Sequence, residues 1–310
     1  MDMYQKRKIR AEKKKDDNQK SFPSVGINWY PGHMAKTKRL ISENIDFIDV
    51  IYEVIDARMP YSSRIREIDQ ILKNKPRILI MTKIDMCDMN ETNKWVKYYE
   101  ANGLKVIKIN LENNPNINTI LKATDEIMEF INNKRENKGL LRKKCKALVM
   151  GIPNVGKSTL INRLVGKSAV GVGNKPGVTK QTSWIRISNK IELFDTPGIL
   201  WPKFEDENIA YNLASLTAIR EEVLPVYDVA YYILRMLDKY YPNELNRRYG
   251  LESLSDDMYE NFEFIGKRRG CLIKGGEVDY DKVVNVIFND IKTGSIKNIT
   301  FDRFEGFNAK

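Results

Sequence analysis

The 310-residue chain carries 52 Lys and Arg against 41 Asp and Glu, a formal net charge of +11, with one histidine and three cysteines. A hydrophobic content of 42% supports folded cores, at roughly 100–200 residues per domain two of them, and excludes a disordered chain. Three scattered thiols (Cys87, Cys145, Cys271) and a lone imidazole exclude a disulfide framework or zinc cluster and fit a reducing cytoplasm, while the positive surplus calls for a polyanionic partner.

Residues 1–25 hold eight Lys and Arg, four Asp and Glu and few apolar side chains, which reads as a basic flexible arm. No apolar stretch follows it, so it is not read as a secretory signal, and a cytoplasmic protein is expected. Residues 26–202 read as an α/β unit. Short β-branched runs at 49–55, 77–81, 105–109, 147–150, 184–187 and 191–194 are interleaved with helical patterns. Several lack alternation, as strands of a doubly wound, mostly parallel sheet do when covered on both faces. Residues 203–310 read as a small helical domain, with apolar residues at helical spacing (Ile209, Leu213, Leu216, Ile219; Val226, Val229, Ile233, Leu237). The apolar stretch 223–237 contains Pro225, Asp228 and Arg235, so it reads as a buried helix and no membrane partner is expected.

The strongest chemical signal is Gly151-Ile-Pro-Asn-Val-Gly-Lys-Ser158, a complete GxxxxGK[ST] between a strand-like KALVM and a helix-like TLINRLVG. A chance Gly-rich turn is the bland alternative, and the flanks argue against it. Backbone N–H groups of Asn154, Val155, Gly156 and Thr159 can curl around phosphates. Lys157 reaches the β- and γ-phosphates, and the Ser158 hydroxyl ligates Mg²⁺. Downstream, Asp195-Thr-Pro-Gly198 ends a strand, placing a carboxylate beside the metal and the Gly198 N–H at the γ-phosphate, though a tight turn has the same composition. Between them, the Gly/Pro-rich loop 173–179 offers Thr179 as a second hydroxyl ligand in the triphosphate state.

Base identity is expected from Thr82-Lys83-Ile84-Asp85 at the end of RILIM. The Asp85 carboxylate can accept from N1 and N2 of guanine, a pattern adenine does not offer, and the Lys83 stem can cover the ring. Thr82 stands where GTPases usually have Asn and loses an amide that braces the loop. This base motif precedes the phosphate loop, the reverse of the ordinary order, so the domain reads as circularly permuted. The segment after Gly198 then runs directly into the helical domain, coupling nucleotide state to it.

With these motifs the chain resembles the RbgA/YlqF group of circularly permuted GTPases that assist large ribosomal subunit assembly. The resemblance rests on NWYPGHMAKT (28–37), DARMP (56–60), TKID, GIPNVGKST, KPGVTK, DTPGILWP (195–202), IGKRRGCLIKGGEVD (265–279) and a GSIKNITF ending. It implies GTP hydrolysis stimulated by the ribosomal particle, Mg²⁺, a large-subunit precursor as partner, and rRNA contact through the C-terminal domain.

Many GTPases orient the attacking water with a Gln after DxxG; here Ile199 follows Gly198 and can form no such bond. His33, in Gly32-His33-Met34, is by similarity to the group the candidate in its place, against a packing or RNA-contacting histidine. Asn154 is a candidate K⁺ ligand by analogy with related GTPases, against a loop-shaping Asn. For RNA, Lys267, Arg268 and Arg269 between Gly266 and Gly270 are the candidate phosphate contacts, the glycines allowing close backbone approach. Segment 134–146, seven basic residues against one acidic, and the arm are the other basic tracts; each is equally a solvated face. Residues 201–310 carry 15 Lys and Arg against 19 Asp and Glu, while 26–200 carry 29 against 18. Long-range attraction for RNA therefore falls to the arm and the G domain. The expected protein is a GTP-hydrolysing assembly factor, monomeric when free. A metabolic P-loop ATPase or kinase, and an RNA-binding module with a regulatory nucleotide site, are the alternatives.

Overall fold

All six apolar runs become strands in the computed structural model, which describes residues 32–72, 74–113, 115–166, 183–198, 206–216, 218–219, 224–305 and 307. In chain order the elements are α1 (Gly32–Asn44), β1 (Val50–Asp56), β2 (Arg77–Thr82), α2 (Met89–Ala101), β3 (Lys105–Lys108), α3 (Asn118–Glu136), β4 (Cys145–Met150), α4 (Lys157–Val165), β5 (Ser183–Arg186) and β6 (Ile191–Asp195). The helices α5 (Glu207–Ser215), α6 (Val226–Tyr240), α7 (Pro242–Tyr249), α8 (Met258–Arg269) and α9 (Tyr280–Thr293) follow.

The sheet runs β3-β2-β1-β4-β6-β5, parallel throughout except for β5, which pairs antiparallel with β6. Every residue of β1 is buried, so both faces are covered and the strand needs no polar alternation. Helix starts follow side-chain capping: Asp88 accepts from the Asn90 and Glu91 N–H groups, and Asp257 and Asp279 do the same for α8 and α9. The 223–237 reading is matched by α6, whose Val229, Ile233, Leu234 and Leu237 are buried. Among the described residues no helix is long and apolar enough to cross a membrane.

One apolar cluster runs from the sheet (Ile51, Leu148, Leu193) through α5 and α6 (Leu213, Ile233) to α8 and α9 (Phe262, Ile287). A second centres on Trp95 of α2, and here the end of the chain returns to the sheet domain. Phe304 and Phe307 pack on Trp95, with ring centroids 5.0 and 4.7 Å away. The Trp95 indole N–H donates to the Asp302 carbonyl (3.1 Å), and the Asp302 carboxylate accepts from the Tyr61 and Ser62 N–H groups, both at 2.7 Å. The last residues thus strap the helical region to the sheet.

Candidate nucleotide site

In a parallel sheet, ligands gather beyond the carboxyl ends of strands where successive connections leave in opposite directions. Here that point lies between β1, which leads outward to β2 and β3, and β4, which leads to β6. The residues at this edge are Asp56 ending β1, Thr82 ending β2, Gly151 following β4 and Asp195 ending β6. Register aligns them, Asp56 opposite Thr82 and Asp195 opposite Val149.

The phosphate loop turns sharply out of β4. A Cβ on Gly151 would lie 2.3 Å from the Val54 carbonyl oxygen, so only glycine lets β4 leave the sheet beside β1 here. Asn154 (φ 63°) and Gly156 (φ 93°) are left-handed, which turns the loop into the N-terminus of α4. Lys157, Ser158 and Thr159 form the first turn, where the backbone N–H groups and the helix dipole favour anions. Val155 is buried beneath the loop.

Two opposite charges are enclosed at this turn. The Lys157 ammonium is buried and donates to the Ile152 carbonyl (2.7 Å); burial pulls its pKa down to about 8, against the attraction of Asp195. The Asp195 carboxylate is buried, and neither oxygen has a hydrogen-bond partner among the described residues. Burial pushes its pKa up to about 6, with the Lys157 charge opposing. A buried carboxylate with open lone pairs beside an N-terminal helical turn is the donor chemistry a hard divalent cation takes. Gly198 closes the edge: a Cβ there would meet Pro153 backbone atoms at 2.7 and 2.8 Å, so the turn after β6 lies directly on the phosphate loop. Thr196 fixes that turn by donating its hydroxyl to the Val149 carbonyl (2.9 Å).

The TKID motif meets the same loop from the other side. Thr82 is fully buried, its hydroxyl 2.7 Å from the Val155 carbonyl and 3.1 Å from that of Ile55, so it donates to one acceptor at a time. This corrects the expectation of a lost brace: the threonine hydroxyl ties the base motif to the phosphate loop where an amide was missing. Lys83, left-handed at φ 56°, bridges the Asn154 carbonyl (2.7 Å) and the Asp56 carboxylate (2.9 Å). Asp85 is exposed at the open edge. Asp56 itself, absent from the expected site, is held well below the usual carboxylate range; burial pushes it up, but Arg58 and Lys83 outweigh that. Its signal in the sequence was the charged pair inside DARMP, at the end of a strand that is apolar apart from Glu53.

A family model described as "50S ribosome-binding GTPase" matches residues 146–257. Ribosome biogenesis GTPase A of Priestia megaterium is 44% identical over 277 residues, covering 89% of this chain and 96% of its own. The chain belongs to the ribosome biogenesis GTPase A family. Solved structures of YlqF superpose on it: the GNP-bound protein of Thermotoga maritima at TM-score 0.62 over 86% of this chain and 98% of its own, and a GDP-bound form at 0.61 over 86% and 100%, both 26% identical. This member of the family is therefore a guanine-nucleotide-binding GTPase with a circularly permuted G domain, as its motif order indicated.

The remaining expected residues of this GTPase fall on α8 or outside the described residues. Thr179 and Ile199 lie outside the described residues, as does the side chain of His33, whose backbone forms part of the first turn of α1. Lys267, Arg268 and Arg269 are exposed in the last turn of α8, where cations also complement the helix dipole. Lys267 pairs with Glu263 at 2.8 Å, and the Arg268 guanidinium lies against Gly250, 2.4 Å from where a Cβ would be. The reading of Gly266 is corrected. A Cβ there would lie 2.3 Å from Val278 and 3.0 Å from Val283, so the glycine serves packing of α8 on α9 and the segment that precedes it rather than approach to a phosphate. Gly270, left-handed at φ 68°, ends α8.

Proposed function

We propose that this GTPase assists assembly of the large ribosomal subunit, using GTP hydrolysis to change how its helical domain engages a precursor particle and its rRNA. The observation that carries the reading is the contact of Gly198 with the phosphate loop beside the enclosed Lys157–Asp195 pair. Nucleotide phosphates and the chain leading into α5 then share one turn, so loss of the γ-phosphate acts on the segment that leads to the helices.

In this reading Asn154, Val155, Gly156, Lys157, Ser158 and Thr159 hold the phosphates, Gly198 meets the γ-phosphate, and Thr82, Lys83 and Asp85 select guanine. Ser158, Asp195 and Thr179 are the residues to hold Mg²⁺, which when bound neutralises charge on the β- and γ-phosphate oxygens. Lys157 stabilises the charge that develops on those oxygens, and His33 orients the attacking water. Asn154 occupies a left-handed position that asparagine tolerates, which supports a loop-shaping role. A K⁺ role for it requires faster hydrolysis in KCl than in NaCl, and equal rates remove it.

Stimulated turnover tests the assignment of His33. His33→Ala is expected to bind GTP like the parent and to lose most of the acceleration by large-subunit particles; equal turnover on particles refutes the role. Proton linkage tests Asp195 and Lys157. Metal–nucleotide binding uses the carboxylate and the ammonium, so affinity is expected to rise with pH up to about 6, hold, and decline above about 8. Below the lower limit the loss approaches about tenfold per pH unit. A flat Mg·GDP titration from about pH 5 to about pH 9 contradicts both protonation assignments.

RNA contact through Lys267, Arg268 and Arg269 is supported by their exposure, and a second tract lies at 134–146. There Lys134 sits 4.0 Å from the ring of Phe130, which is 62% exposed, and Lys146 sits 5.0 Å from the ring of Trp184, which is 41% exposed. Aromatic faces with ammonium groups over them suit stacked, unpaired bases. Neutralising either tract is expected to weaken binding to large-subunit rRNA and lower its salt slope by about one per lost phosphate contact. An unchanged slope denies that tract the role.

A further inference from the structure

Asp56 and Arg58 lie beside the guanine motif, where Asp56 touches Lys83 but neither residue is itself expected to meet the nucleotide. The Asp56 Oδ1 atom accepts from the Arg58 N–H and Nε (both 3.0 Å), and Oδ2 accepts from Arg58 Nη2 (2.9 Å) and pairs with Lys83 Nζ (2.9 Å). Arg58 is 2% exposed, and its remaining terminal nitrogen, Nη1, donates to the Ile291 carbonyl of α9 at 2.7 Å. An unbroken polar line therefore runs from the Asn154 carbonyl in the phosphate loop through Lys83, Asp56 and Arg58 to the last turn of α9, its final bond joining Arg58 and Ile291, 233 positions apart.

The backbone runs parallel to this line. The Arg58 carbonyl accepts from the Phe301 N–H (2.6 Å), and the Met86 carbonyl, one residue past Asp85, accepts from the Ile299 N–H (3.2 Å). The Thr300 hydroxyl accepts from the Asp88 N–H (3.1 Å) and lies 3.0 Å from the Thr92 hydroxyl. The loop that carries Asp85 is thus held between the Asp56–Arg58 turn and the C-terminal strap. A planar guanidinium satisfied by one carboxylate and one carbonyl has a single geometry, which an ammonium cannot reproduce.

We propose that Arg58 is a positioning residue of the guanine subsite, acting through Asp56 on Lys83, and that occupancy of this subsite by the base tightens attachment of the C-terminal strap to the G domain. The proposal rests on the assignment of Lys83 and Asp85 to the base. Its distinguishing feature is that the strap holds the loop that carries Asp85, through the Ile299 N–H bond to the Met86 carbonyl, so a ligand with phosphates alone, which makes no contact with Asp85, leaves the strap unaffected. Coupling is reciprocal: docking of the strap raises guanine affinity as much as guanine raises docking.

Amide hydrogen exchange on the full chain tests this without a substitution. GDP is expected to slow exchange at Ile299 and Phe301 by about tenfold or more, and inorganic pyrophosphate, although bound, is expected to leave both unchanged. Equal protection by GDP and pyrophosphate, or no protection by bound GDP, overturns the proposal; failure of GDP to bind instead overturns the assignment of the site. Arg58→Met, and the milder Thr300→Val at the strap, are each expected to weaken GDP binding by about tenfold while pyrophosphate binding holds. Arg58→Lys is expected to restore little of it. Parallel losses for GDP and pyrophosphate in Thr300→Val indicate a merely structural role.

Discussion

Asp85→Asn is expected to move the base preference of the site from guanine to xanthine. A carboxylate accepts from both N1–H and the 2-amino group of guanine; an amide turns one donor toward a donor. Two hydrogen bonds to a charged acceptor at about 1.5–3 kcal/mol each correspond to about 10²–10⁴-fold weaker GTP binding. Xanthine, with a carbonyl at position 2, restores both partners, so XTP becomes the better ligand. Asp85 is exposed, so the fold is expected to be unaffected. Competition between GTP and XTP for the variant is the measurement, and a retained preference for GTP contradicts the assignment.

Lys157→Met is expected to abolish most hydrolysis. The ammonium is fixed by the Ile152 carbonyl and enclosed beside Asp195, so it stabilises phosphate charge without reorganising. Removing one such preorganised contact costs on the order of 10²–10³ in turnover. The methionine keeps the volume of the stem but leaves the buried Asp195 carboxylate without its counter-charge, so the Asp195 pKa rises further above its present value near 6. Single-turnover GTP hydrolysis with thermal unfolding as the control separates lost chemistry from lost fold. Undiminished turnover in a folded variant removes Lys157 from the mechanism.

The parts of this protein legible in its sequence are those whose cause is local. Runs rich in β-branched residues without polar alternation, such as VIYEVID, mark strands covered on both faces, and Gly151 to Ser158 needs only a preceding strand and a following helix to become a phosphate loop. The relative order of TKID and the phosphate loop is enough to indicate permutation. What escaped is non-local or chemically ambiguous. Arg58 and Ile291 meet only because the chain closes on itself, and nothing in DARMP names a carbonyl at the far end of α9 as its partner. The strap at 299–304 carries no periodicity, and its bonds to Met86 and Arg58 are backbone bonds that any side chain permits. Gly266 shows the ambiguity of glycine, which serves close approach of a phosphate and close approach of a valine equally. Thr82 shows the limit of motif comparison: the departure from Asn was visible, but its hydroxyl bond to Val155 depended on how near β2 brings it to the loop.

One enclosed phosphate turn, with the guanine motif on one side and the chain leading to the helices on the other, is the centre of this ribosome-assembly GTPase. The most direct measurement compares steady-state hydrolysis of GTP and ATP by the full chain, with and without large-subunit particles. Slow turnover of GTP alone, marked acceleration by the particles, and neither binding competition nor turnover with ATP are expected. Equal use of ATP, or GTP turnover indifferent to the particles, would contradict this function.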